Sequence, residues 1–184
     1  MRKITWNSPV ILWFVFICAA ALGLNYLTAG KSNRLVFEVY RSSFKDPLFY
    51  VRLFGHVFGH ANFAHFANNM MYILLLGPIA EEKYGSKNLA VLIALTAVVT
   101  GLVQVFLFPR TALLGASGVV FMLIMLSAVV GEGKDIPLTL ILVVVVYFGN
   151  QIAEGLFEAD KVSQLTHIIG GVIGLIGGWR LTRR

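Results

Sequence analysis

A serine and a histidine, fifty residues apart and each set in an apolar stretch, are the residues of this 184-residue chain best placed to do chemistry. Ser117 stands in Gly115-Ala116-Ser117-Gly118, and His167 opens a second hydrophobic stretch. A hydroxyl and an imidazole are expensive to bury at membrane depth, so reactive groups there are functional candidates. The chain between them runs out and back once, which lets the two meet as nucleophile and general base. That pairing predicts an enzyme working inside the bilayer.

A third element lies upstream, in His56, His60, His65 and Asn69. His65 and Asn69 are four residues apart and share a helical face. His60 falls outside that register and belongs in the loop entering the helix, for which Asn62 is the expected N-cap. No H-E-x-x-H occurs and the span carries no carboxylate, so no metal is expected. Two polar donors one turn apart, facing a core, instead suit a developing oxyanion.

The elements that must position these groups follow from composition. With 58% hydrophobic and 13% charged residues and a mean hydropathy of +0.79, the chain is too apolar for a soluble domain. It reads as one polytopic membrane domain, an all-α bundle of six spans at roughly 9–29, 63–79, 88–108, 115–131, 136–152 and 167–181. The first segment follows Arg2 and Lys3 and contains Ala19-Ala20-Ala21, but about twenty apolar residues exceed a signal-peptide core, so a retained helix is expected. Cys18 is the single cysteine and forms no intramolecular disulfide. The pI of 9.7 does not indicate nucleic acid, because the basic residues flank apolar spans. In a six-span arrangement Arg2, Lys3, Lys83, Lys87, Lys134, Arg180, Arg183 and Arg184 share the face of the termini. Lys31, Arg34, Arg41, Lys45, Arg52, Arg110 and Lys161 share the other, so charge alone leaves orientation open.

The 30–62 connection mixes basic, aromatic and aliphatic residues and is expected as a loop lying in the interface. A turn is expected from Gly77-Pro78 through Gly85-Ser86. The fourth span is short, so the approach around Pro109–Leu114 should dip to membrane depth and leave Ser117 at the start of a buried helix beside water. In the last span Gly170, Gly171, Gly174 and Gly178 fall on the same stripe as His167. Small residues on one stripe allow close helix approach in lipid, with Gly118 as the matching surface.

Taken together, His60 through Asn69, Gly115-Ala-Ser117-Gly118 and His167-Ile-Ile-Gly170-Gly-Val-Ile-Gly174 resemble the rhomboid intramembrane serine proteases over roughly residues 50–180. Arg52, and Glu81 with Gly85, resemble further family positions. The chain departs from the pattern at Val51, where a Trp commonly precedes the Arg, and at Phe121, where a Tyr is frequent. The resemblance implies a first helix and interfacial loop over 1–49 and a catalytic core over 50–184, together one integrated membrane domain. It implies Ser117 as nucleophile, His167 as general base, and His65 and Asn69 with the Ser117 backbone N–H as the oxyanion hole. His60, Gly115, Gly118, Phe121 and Gly170 would support them, Phe121 by stacking on the imidazole. No cofactor is implied. The implied partners are the lipid bilayer and single-pass transmembrane substrates, cut near the membrane face at a small residue in an easily unwound helix. The implied setting is a prokaryotic cytoplasmic membrane, with the termini in the cytoplasm and the site open to the opposite side. The resemblance also makes the fifth span a lateral gate, and its lack of a small-residue stripe agrees, with Phe148 as its expected holding contact. Two rival readings are an inactive relative that binds transmembrane helices, signalled by loss of Ser117 or His167, and a channel or transporter. The absence of internal repeats weighs against the transporter.

Overall fold

A computed structural model describes residues 4–129, 136–157 and 161–182, leaving out the side chains at 147, 148, 150–157 and 161–163. It contains α1 (Pro9–Leu27), α2 (Pro47–Gly55), α3 (Phe63–Tyr84), α4 (Ser86–Leu107), α5 (Ser117–Ala128), α6 (Leu138–Phe157) and α7 (Lys161–Thr182). Helix starts follow local chemistry. Pro9 and Pro47 occupy first-turn positions where a missing N–H leaves no helical bond unmade. Asp46 accepts from the Leu48 N–H at 2.9 Å, and Asn62 from the His65 N–H at 2.9 Å, each capping its helix.

Hydrogen bonds between helix ends sort the bundle into two faces. The Glu81 carboxylate near the end of α3 accepts from the backbone N–H groups of Val10 and Ile11, both at 3.1 Å, and thereby caps the start of α1. The Tyr84 hydroxyl reaches the Leu126 and Val129 carbonyls at the end of α5, and Gly178 of α7 abuts Val129. The start of α1 and the ends of α3, α5 and α7 therefore share a proximal face with the start of α4. On the distal face, the Phe63 N–H that begins α3 donates to the Tyr26 hydroxyl at the end of α1. The starts of α5 and α7 lie there too, with the Thr166 carbonyl beside Gly118.

Ile11, Phe14 and Cys18 of α1, Met70 and Ile73 of α3, and Met122, Leu123 and Leu126 of α5 form the buried core. Trp13, Phe16, Leu75, Ile79, Val91, Leu95 and Phe106 face outward, as lipid-facing side chains must. Among the described residues four helical stretches are long and apolar enough to cross a bilayer: α1, α3, α4 and Gln164–Thr182 of α7. α5 is apolar but has 12 residues, about 18 Å at 1.5 Å per residue against a hydrocarbon core of roughly 30 Å.

Three sequence expectations change. The 30–62 connection is structured, holding α2, a π-helical turn at Asn33–Phe37 and a 3-10 turn at His56–Phe58. Arg52 of α2 organises it, pairing with Asp46, donating to Ser42 Oγ and the Leu35 carbonyl, and standing 4.6 Å from the Tyr40 ring centre. The turn expected from Gly77-Pro78 is instead helix, because α3 continues through Pro78 to Tyr84. Contacts at both ends of that stretch hold it, with Gly77 against Ile11 and Glu81 bonded to α1. Finally, α7 starts at Lys161, six residues before His167, which therefore lies in the body of the helix and not at its opening.

Candidate active site

Ser117 is the first residue of α5, and no side chain caps that helix start. The opening N–H groups of a helix have no intrahelical acceptor and carry its partial positive charge, so they point toward whatever occupies the space before Ser117. The segment leading in is irregular at depth, and the protein satisfies it internally as such backbone requires. Val39 and Leu113 exchange two backbone bonds of 2.9 Å, and Gln104 Nε2 donates to the Phe108 and Thr111 carbonyls. The Gly115 N–H donates to the His56 carbonyl at 2.9 Å.

Two close approaches then place the histidines. Gly115 has φ +126°, and a Cβ there would lie 2.8 Å from His65 Cε1 and Nε2. Only glycine fits that conformation and that distance, so the His65 ring lies against the backbone two residues before Ser117. On the other side, a Cβ on Gly170 would come 2.1 Å from the Gly118 carbonyl oxygen, and one on Gly174 would come 2.1 Å from that of Met122. α5 and α7 thus run in the same direction in backbone contact. His167, one turn before Gly170, lays its ring on Phe121 with centroids 4.2 Å apart and planes at 42°. Phe121 follows Ser117 by one turn. Ser117 and His167 therefore occupy adjoining helices at the distal face, within a turn of the Gly118–Gly170 contact.

Asn69, 4% exposed, donates from Nδ2 to the His65 carbonyl at 3.1 Å, which fixes its amide one turn below His65. His60 lies in the loop between the 3-10 turn and α3, fully buried, its ring 5.1 Å from that of His65. Its Nδ1–H donates to the Phe58 carbonyl at 3.1 Å, and Asn33 Nδ2 donates to the His60 carbonyl at 3.0 Å. Burial, with His65 adjacent, pushes the His60 imidazole down to about 4, so it is neutral at pH 7. Among the described residues no three His, Cys, Asp or Glu side chains form a metal-binding group.

A family model described as the rhomboid domain matches residues 48–184. The chain belongs to the rhomboid family. Rhomboid-like protein 11, chloroplastic, of Arabidopsis thaliana is 28% identical over 141 residues, covering 68% of this chain and 50% of that protein. Rhomboid-related protein 1 of Caenorhabditis elegans is 30% identical over 138 residues, covering 70% of this chain and 39% of that protein. Rhomboid-like protease 3 of Toxoplasma gondii is 26% identical over 120 residues, covering 62% and 45% respectively. The chain spans half or less of the length of these curated relatives. Family and apolar helices together make this rhomboid a multi-pass membrane protein.

Sequence reasoning left one set of residues in this rhomboid unassigned. Thr96, Thr100 and Gln104 form a buried polar stripe at four-residue spacing on α4, whose body beyond Asn88 is otherwise apolar. Thr100 Oγ1 meets His56 Nε2 at 3.2 Å, so α4 braces the histidine whose carbonyl holds Gly115. The signal was present as periodicity, since polar residues at i, i+4 and i+8 in a span share one face. The Phe148 side chain, expected to hold the gate, lies outside the described residues.

Proposed function

We propose that this rhomboid is an intramembrane serine endopeptidase that cleaves single-pass transmembrane proteins with a Ser117–His167 dyad. The observation that carries the reading is the seating of His167 on Phe121, one turn from a serine at an uncapped helix start. Ser117 Oγ attacks the scissile carbonyl carbon as His167 takes the hydroxyl proton. The oxyanion is held by the Ser117 N–H and by His65 and Asn69, which approach from α3. A donor of this kind typically contributes about 10²–10³-fold to turnover. Collapse expels the amine, which takes the proton from His167 and leaves Ser117 acylated. Water then attacks with His167 again as base, releasing the acid and restoring the serine. Phe121 supplies the flat surface on which the imidazole rests, without a hydroxyl of its own.

In this reading α5 and α6 complete a six-span bundle. The proximal face, with the start of α1 and the end of α7, is cytoplasmic, and the distal face with Ser117 opens outward from a prokaryotic cytoplasmic membrane. Substrate enters sideways past α6, which adjoins both α5 and α7. The test is cleavage of a single-pass substrate in vesicles by wild type, Ser117→Ala and His167→Ala. Both variants should insert normally and be inactive, and the double variant should be no worse than either single one. Cleavage by either single variant would exclude the dyad, and cutting by neither wild type nor variants would favour an inactive relative that only binds helices.

A further inference from the structure

On the proximal face, far from Ser117, a groove of about 320 Å³ opens between α4 and α7. Val91 and Leu95 of α4 and Ile173 and Ile176 of α7 form its walls, and Asn88 and Arg180 stand at its membrane-surface end. Its floor is closed where Gly177 meets Leu92, with only 2.7 Å between a Cβ there and Leu92 Cδ2. Asn88 to Leu95 rises about 10 Å along the helix, a third of the roughly 30 Å hydrocarbon core.

The shape selects the occupant. A transmembrane helix is about 10–12 Å across, too broad to enter a cleft between two helices already touching at its floor, whereas an acyl chain is a single file of methylenes. The charge selects the headgroup. Arg180 is exposed and, among the described residues, forms no ion pair, with exposed Lys87 next to Asn88 at the same level. Among the described residues no carboxylate pairs with Arg180, and Glu81 on the same face is committed to the start of α1. A guanidinium fork at the headgroup level matches a phosphate in geometry and sign.

We propose that the α4–α7 groove binds one anionic phospholipid, its phosphate on Arg180 and one acyl chain along Val91, Leu95, Ile173 and Ile176. The lipid clasps the proximal end of α7, the helix whose distal end carries His167. The full chain is reconstituted into vesicles of equal phosphatidylglycerol and phosphatidylcholine, extracted in mild detergent, and its retained lipids are identified by native mass spectrometry. Wild type should retain one lipid, predominantly phosphatidylglycerol. Arg180→Gln, a change at an exposed side chain, should lower the phosphatidylglycerol preference about five-fold, and Arg180→Lys should keep most of it. Val91→Trp, which fills the groove, should reduce retention of both lipids. The same lipid ratio in wild type and Arg180→Gln would overturn the proposal. So would undiminished retention in Val91→Trp, or displacement of the lipid by a transmembrane peptide, which would assign the groove to a helix.

Discussion

At the scale of single residues, two buried histidines beside the site are kept neutral. His56 and His60 are both buried, and desolvation pushes each imidazole down to about 4. An exposed histidine in the unfolded chain titrates near 6.5. Above about pH 6.5 neither state is protonated at these rings, and they leave stability flat with pH. Between about 6.5 and 4 the unfolded chain takes up protons that the fold excludes, so stability falls as pH falls, by about 1.4 kcal/mol per unit for each ring. Thermal unfolding in detergent from pH 8 to 4.5 should show a plateau and then a decline. His60→Asn should make that decline shallower. A melting temperature unchanged down to pH 4.5 would contradict the buried, neutral assignment. At this scale the sequence named Gly115, His65, Asn69, Phe121 and Gly170 through their resemblance to the family, and the fold sets His65 against Gly115 and His167 on Phe121. The contacts of His60 were not legible there, since its neighbours, buried Asn33 and half-buried Phe58, come from a connection whose folding the sequence did not announce.

At the scale of elements the decisive contact is the backbone seam between α5 and α7. Gly170 and Gly174 let α7 lie on the Gly118 and Met122 carbonyls, and no side chain could be interposed without separating the helices that carry Ser117 and His167. Gly170→Ala should lower stability by about 1–3 kcal/mol through overpacking and reduce turnover more than substrate affinity. Gly149→Ala on α6, where an added Cβ meets nothing within 4 Å, should do neither. Thermal unfolding and steady-state cleavage of the two variants measure this, and normal stability and rate in Gly170→Ala would refute the seam. The glycine stripe made this pairing readable from sequence. The interior of the 30–62 connection was harder to read, although Asp46-Pro47 is a helix-start signal. α2 has only 9 residues, and its stability rests on Arg52 reaching across the loop, a tertiary effect that local pattern does not contain. Pro78 misled for the same reason, because α1 supplies the contacts that keep α3 helical beyond it.

At the scale of the whole molecule, the helix-end bonds place Lys87 on the proximal face and Arg110 with the segment leading to Ser117. Labelling at these two positions reads the orientation directly. Cys18 is buried and silent, which permits single reporter cysteines. Arg110→Cys should react with a membrane-impermeant maleimide on intact cells, and Lys87→Cys only after permeabilisation. Reaction of both from one side would break the two-face arrangement. Covalent capture of Ser117 tests most directly that this fold makes the serine a nucleophile. Purified protein treated with a fluorophosphonate probe should carry one adduct, located at Ser117 by peptide mass spectrometry, and Ser117→Ala and His167→Ala should carry none. An unlabelled wild type, or a label that persists in Ser117→Ala, would contradict it.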